Sequence, residues 1–452
     1  MAFFGILALS FALALVGKHL FQGWFNHISI YSGIWGFSLA TLQLDLIEYY
    51  PLSAEAWILI IAAWCAFFLG SVTLAAARFA RSPGEPWDGG KTSNDITGRE
   101  GDELRLLRWI LWVLSAVSLL VVLQHWYIVV EKFGSIANVL LWGNIVYSFR
   151  VEEGIPGAIP YLDSLALTGT LLAGVYTAKA GRIRFVAVVP FLIVMLNEVA
   201  NMGRAKLVMA AVLFLSGYAL TRQCSVPRVK ASPRGRIRRL LIVVLALALL
   251  IGGAEFVRST RGATESFRGA RHELYELSRD AFLTPSMYLY ATSHPVVFSK
   301  YLKSGGENPA LGGNTLAPLY RILAKLGFDV ETTVYQRFYK VPISTNTGTY
   351  LRELHADFGV AGVFVFPYVL GLAATIAWLA LRRRFRYTTL AVVSYLYALV
   401  AMSILYVGTR AGDLLFGAVA AYLVGLFVDR NLAGSRTRRI PPSGAPAVRE
   451  SR

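Results

Sequence analysis

The sequence predicts an all-α polytopic membrane protein with about 11 transmembrane helices and a large extracytoplasmic loop that contains amphipathic helices. Three observations predict this fold class. Of the 452 residues, 56% are hydrophobic and 16% are charged, which departs from the composition of soluble domains. Apolar runs of about 20 residues recur along the whole chain. Basic residues gather in the short segments between those runs.

The apolar runs predict helices, because a backbone in lipid must satisfy its own hydrogen bonds. The first run lacks the basic segment and the small-residue cleavage site of a signal peptide, so we expect a retained span. The second run carries Asp45 and many polar residues. The predicted spans are 2–17, 28–47, 55–77, 109–130, 160–178, 185–200, 205–221, 239–257, 359–381, 388–407 and 411–428.

Lys and Arg orient the chain, because their clusters all fall on one side of the membrane in this span count. The positive-inside rule places that side in the cytoplasm. The net charge of +17 follows from these clusters, so it predicts no nucleic-acid partner. The clusters are "RFARSPGEPWDGGKTSNDITGREGDELRLLR", "KAGRIR", "RQCSVPRVKASPRGRIRR", "RRRFR" and "DRNLAGSRTRRIPPSGAPAVRESR".

This orientation divides the chain into four parts. Residues 1–257 hold spans one to eight with the cytoplasmic basic loops, and 258–358 form the extracytoplasmic loop. Residues 359–430 hold the last three spans, and 431–452 form an Arg-, Pro- and Ser-rich tail that we expect to be disordered. The loop is too long for a plain connection.

Two stretches of the loop have apolar residues at helical spacing, and a Gly- and Pro-containing segment separates them. They predict amphipathic helices that lie on the membrane face or pack on each other. The apolar positions are Leu274, Leu277 and Phe282 in the first stretch and Leu316, Leu319, Ile322, Leu323 and Leu326 in the second.

Arginines stand at three span ends on the predicted outer side, where the positive-inside rule does not supply them. Arg204 opens a span after "NEVANMG", Arg258 and Arg261 follow a span in "EFVRSTRG", and Arg410 lies in "VGTRAGD". A guanidinium group stays charged and matches phosphate with paired donors. These residues predict a pyrophosphate site at the membrane surface, and the alternative for each is snorkelling to lipid headgroups.

Polar residues also run directly into the ninth span. Asp357 and His355 are candidates for proton transfer, and Asp357 is equally suited to capping the span. For His355, substrate binding or a structural role is favoured over that of a general base. Glu198 is a further candidate carboxylate, for which a structural pairing with arginine is favoured. Cys65 and Cys224 predict neither a metal site nor a disulfide.

The sequence resembles the Wzy-type oligosaccharide repeat-unit (O-antigen) polymerases. The resemblance rests on "NMGRAKLVMAAVLFLSG", on "FVRSTRG" at the start of the loop and on "TNTGTYLRELHADFGVAGVFVFPYVLGL" at its end. The last segment is also similar to O-antigen ligases, with Asn346 at the Asn position, Asp357 at the acidic position, and Gly359 and Gly362 as the glycines. Thr345 stands where the ligases have a functional histidine, which favours a polymerase.

The resemblance implies a GT-C-like glycosyltransferase of the bacterial inner membrane with its active site facing the periplasm. The implied substrates are two undecaprenyl-diphosphate-linked oligosaccharides in membrane lipid, and the implied partners are a chain-length regulator and a flippase. A hydroxyl of one sugar attacks the anomeric carbon of the other, and undecaprenyl diphosphate leaves. Asn346, Tyr350 and Arg352 are the implied sugar contacts. No Asp-x-Asp motif stands out in the loop, so we expect no metal and no cofactor.

Two other functions remain open. A ligase-type glycosyltransferase on the same fold would move finished glycan to another acceptor. A flippase or transporter of lipid-linked sugars would need charged or polar groups through the span interiors, and the central spans carry few.

Overall fold

The computed structural model shows an all-α membrane protein. It describes residues 2–81, 100–152, 159, 161–225, 244, 252, 271–274, 285–307, 311–330 and 336–437. Its helices are α1 (Ala2–Phe21), α2 (His27–Leu42), α3 (Ala54–Arg81), α4 (Glu100–Phe133), α5 (Ile136–Leu141), α6 (Gly143–Glu152), α7 (Leu165–Ala180), α8 (Phe185–Ala200), α9 (Ala205–Cys224), α10 (Pro285–Lys303), α11 (Ala317–Lys325), α12 (Thr349–Arg383), α13 (Tyr387–Met402) and α14 (Gly412–Thr437).

Within the described residues, six helices are long and apolar enough to cross a membrane: α1, α3, α4, α9, α12 and α14. Helices α8 and α13 are apolar but shorter, and α2 and α7 have 16 residues each. The predicted span 239–257 lies outside the described residues apart from two isolated positions. The number of 11 spans therefore stays a prediction.

Small residues let the central helices pack closely. A methyl group added at Gly70 in α3 would come within 2.0 Å of the Tyr368 carbonyl oxygen in α12. A methyl group at Gly371 in α12 would come within 2.3 Å of the Phe67 carbonyl oxygen in α3. These two helices therefore touch backbone to backbone, as is common where lipid supplies no hydrophobic driving force between helices.

Contacts between helix ends form two separate sets. At one end, Lys179 of α7 pairs with Glu103 of α4 at 3.0 Å, and Asp429 of α14 accepts from the Tyr387 N–H that begins α13. These residues adjoin the basic loops that the sequence predicts on one side. The second set lies at the opposite ends of these helices and contains the polar clusters of the candidate site, around Lys206 and Arg410.

The long loop contains more regular structure than the sequence predicts. Helix α10 packs against α2, α3 and α12, and two short strands pair antiparallel, β1 (Tyr339–Val341) and β2 (Ile343–Thr345). Helix α11 confirms the second predicted amphipathic helix. The first predicted stretch lies mostly outside the described residues. The expectation of a disordered tail from 431 needs correction, because α14 continues to Thr437.

Candidate functional site

Arg410 is the centre of a buried polar cluster, which we call the Arg410 cluster and define as Arg410, Glu353, Asn314 and Asp357. Arg410 ends a short 3-10 helix between α13 and α14 and is 9% exposed. Its Nη1 donates to Asn314 Oδ1 and lies 3.6 Å from Glu353 Oε1. Glu353 Oε2 accepts the backbone N–H of Val407. The cluster thus ties α12 to the turn before α14.

Asp357 anchors the loop that leads into α11. Its Oδ1 lies 3.0 Å from Asn314 N and 2.9 Å from Asn314 Nδ2. Its Oδ2 accepts from both the N–H and the hydroxyl of Thr315, each at 2.6 Å. Both carboxylate oxygens are therefore engaged, and Asp357 is 4% exposed. The alternative that Asp357 caps its own span is wrong, because Asp357 lies within α12 and accepts backbone N–H groups from the segment before α11.

The two glycines of the polar segment have different roles. Gly359 breaks α12 with φ +62° and ψ −155°, a conformation that is close to glycine-only. A methyl group at Gly362 would come within 2.5 Å of the Leu354 carbonyl oxygen. At Gly359 an added methyl would meet no atom within 4 Å, so its backbone conformation and not the available space requires glycine there.

Arg352 is a buried structural clamp at the start of α12. Its Nη2 donates to Glu307 Oε1 at 2.6 Å and to the Arg337 carbonyl at 2.9 Å, and its Nη1 donates to the Asn346 carbonyl at 2.8 Å. Arg352 is 1% exposed, and its guanidinium group joins three segments of the long loop. In this structure Arg352 is not accessible to the sugar that the resemblance assigned to it.

Three guanidinium groups converge near α11. Burial lowers the pKa of Arg410, Glu353 raises it, and the nearby cations of Arg321 and Arg352 lower it further. Arg321 lies on α11 and is half-buried. Contacts between α11 and the 3-10 helix of Arg410 bring these side chains together.

A second polar cluster, the Lys206 cluster, consists of Lys206, Asp163, Asp413 and Glu198. Lys206 Nζ pairs with Asp163 and lies 2.9 Å from Asp413 Oδ2. Burial alone would raise the pKa of Asp163, but the charge of Lys206 outweighs it and holds this pKa below the ordinary value. Because Asp413 follows Arg410 closely, this cluster adjoins the first.

Glu198 lies in the last turn of α8 and contacts the start of α9. Its Oε2 accepts the Lys206 backbone N–H at 3.1 Å, and a methyl group at Gly203 would come within 2.9 Å of the same carboxylate. This contact corrects the favoured pairing of Glu198 with arginine, because the hydrogen bond caps a helix beside a lysine. Arg204 itself places its guanidinium carbon 4.9 Å from the ring centre of Tyr290 in α10.

The other predicted residues have different surroundings. His355 Nδ1 lies 3.0 Å from the Tyr301 hydroxyl. Burial raises the pKa of Tyr301 to about 12, so this hydroxyl stays protonated at neutral pH and can donate to His355. Tyr350 is 2% exposed and its hydroxyl lies 2.8 Å from that of Tyr31, so it is a helix-packing residue here. Asn346 is half-buried.

The structure thus joins Arg410 and Asp357 through Asn314 and places Arg352 nearby, whereas Arg204 contacts Tyr290 of α10. Arg258 and Arg261 lie outside the described residues. Sequence reasoning missed several partners: Glu353, Asn314, Arg321, Lys206, Asp163 and Asp413. A signal was present for Glu353, since it is an acidic residue four positions before Asp357, a separation of about one helical turn.

Within the described ranges, no group of three or more His, Cys, Asp and Glu side chains is placed to hold a metal ion. The expectation of metal independence stays a prediction. An apolar groove of about 280 Å³ lies elsewhere, between the spans α4 and α14, and Trp109, Leu114 and Phe427 contribute to its lining.

No family model, curated protein or solved structure matches this chain. The resemblance of the polar segment to O-antigen polymerases therefore remains a prediction.

Proposed function

We propose that this protein is a glycosyltransferase that joins lipid-diphosphate-linked oligosaccharides, with the Arg410 cluster as its diphosphate-binding end. The observation that carries the proposal is that Arg410 lies at the helix ends opposite the basic loops, held in place by Asn314 and Glu353, with the cation of Arg321 nearby. A leaving diphosphate needs positive charge that is already in place, because fixed donors cost no reorganisation during the reaction.

The residues divide into two proposed roles. Arg410 and Arg204, with Arg258 and Arg261 as the sequence predicts, contact the diphosphate. Glu353, Asn314 and Asp357 hold Arg410 in one orientation through the ion pair and hydrogen bonds described above. A rigid guanidinium group presents its paired donors to phosphate at lower entropic cost than a free side chain.

The proposed reaction breaks the bond between the anomeric carbon and the diphosphate oxygen of one substrate. The hydroxyl of the second sugar forms the new bond and loses its proton. His355 is half-buried, and in the tautomer whose Nδ1–H donates to the Tyr301 hydroxyl its Nε2 can take this proton. Asp357 and Glu198 also stay candidates from the sequence, but each already accepts backbone hydrogen bonds.

The test uses purified protein in nanodiscs with undecaprenyl-diphosphate-linked repeat units. We expect a ladder of oligomers on a gel together with released undecaprenyl diphosphate. Removing one donor to a developing negative charge typically lowers the rate of an enzyme by about 10²–10³. We therefore expect Arg410→Ala to lower the rate at least 100-fold. Arg410→Lys should be intermediate, because the fork geometry is lost.

Arg382→Ala is the matched control. Arg382 also donates to a side-chain amide oxygen, that of Gln22 at 3.0 Å, but at the opposite end of the bundle. It should leave the ladder unchanged. Wild-type protein that neither lengthens the glycan nor releases diphosphate contradicts the proposal. Transfer of glycan to another acceptor without a ladder would indicate a ligase, and movement of unchanged substrate across vesicles would indicate a flippase.

A further inference from the structure

Helix α11 and its two capping residues present a row of large apolar side chains that the described residues leave uncovered. Leu316, Leu319, Ile322 and Leu326 are between 46% and 69% exposed. Their spacing of three or four residues puts them on one face of the helix. We propose that α11 lies in the membrane interface, with this apolar face against the acyl chains of the bilayer. The proposal does not depend on the activity proposed above.

The first argument is continuity with the lipid-facing surface of a span. Just before α11, a methyl group at Gly312 would lie 3.8 Å from the Phe358 ring. Phe358, Val360 and Val365 are exposed apolar residues where α12 enters its apolar span. Asp357 in α12 holds this loop beside the helix through its hydrogen bonds with Asn314 and Thr315. The segment before α11 is thus held against the end of a membrane-crossing helix.

The second argument is charge complementarity. Helix α11 has nine residues, "APLYRILAK", of which Arg321 and Lys325 are basic and none is acidic. Nine residues are too few to span a bilayer. A short helix with one apolar face and basic flanking residues binds at the interface, where the cations meet anionic headgroups and the apolar face enters the acyl boundary. A bilayer satisfies both features of α11 at once.

The test is spin-label accessibility in the full chain, reconstituted in nanodiscs that contain anionic phosphatidylglycerol. Cys65→Ala and Cys224→Ala first remove the native thiols. Single cysteines then replace Leu319, Ile322 or Leu326, and Lys303→Cys at the exposed end of α10 is the water-facing control. Collision rates are measured with oxygen, which concentrates in lipid, and with a neutral nickel chelate, which stays in water.

At positions 319, 322 and 326 we expect the ratio of oxygen to nickel collisions to exceed that at Lys303→Cys at least fivefold. A ratio equal to that of the control would overturn the proposal, because the face would then lie in water. Low accessibility to both reagents would also overturn it, because protein would then cover the face. Spin–spin broadening in that case would identify a second copy of the chain as the occupant.

Discussion

Substituting Asp357 by Asn tests how the loop before α11 is held. The amide keeps one acceptor oxygen but puts an NH₂ group at the other position, where the carboxylate accepts from the Thr315 N–H and hydroxyl. The hydroxyl can rotate and accept instead, but the N–H loses its partner. One hydrogen bond to a charged group contributes about 1.5–3 kcal/mol. We therefore expect the loop to lose about 2 kcal/mol, which is about 30-fold in its opening equilibrium.

Hydrogen–deuterium exchange of the amides in 311–325 measures this change, because local opening controls exchange. The matched control is Asp429→Asn at the opposite end of the bundle. Asp429 also accepts from two backbone N–H groups and a threonine hydroxyl, those of Tyr387 and Thr388, at 2.9–3.1 Å. It should loosen the start of α13 and leave 311–325 unchanged. Exchange of 311–325 within threefold of wild type in Asp357→Asn would refute the reasoning.

Two other substitutions test local features. Gly359→Ala should lower the thermal midpoint of unfolding in detergent, because φ +62° with ψ −155° costs a residue with a side chain about 1–3 kcal/mol. The control is Gly33→Ala in α2, where an added methyl also meets no atom within 4 Å and the midpoint should not fall. Equal midpoints for the two variants would contradict the strain argument. His294 is buried, and burial lowers its pKa to about 4. The unfolded chain therefore binds a proton between about pH 6.5 and pH 4 that the folded protein excludes, so stability should fall as the pH drops through this window, by up to about 3 kcal/mol. His294→Asn should flatten the dependence of the unfolding free energy on pH in this window. A dependence equal to that of the wild type would contradict the role assigned to His294.

The sequence by itself determined the class of the protein and much of its helix order. Lipid forces each apolar run to satisfy its backbone locally, so the apolar runs of α3, α4 and α9 could be found from hydropathy alone. The amphipathic α11 was also predictable, because its 3.6-residue period is a local property. The basic loops likewise predicted which helix ends share a side, and the pairing of Lys179 with Glu103 agrees with that assignment.

Only the tertiary structure decided what the polar side chains of the candidate site do. Asp357 meets Asn314 across 43 residues of sequence, and Arg410 meets Glu353 from a different helix end. Such contacts depend on how the helices pack, which no local pattern records. The burial of individual polar residues could not be predicted from the sequence either. Arg352 and Tyr350 fall in a predicted loop, but both side chains are buried in the folded protein. A guanidinium group satisfied by carbonyls and a carboxylate can be buried, because its partners replace the water that it loses.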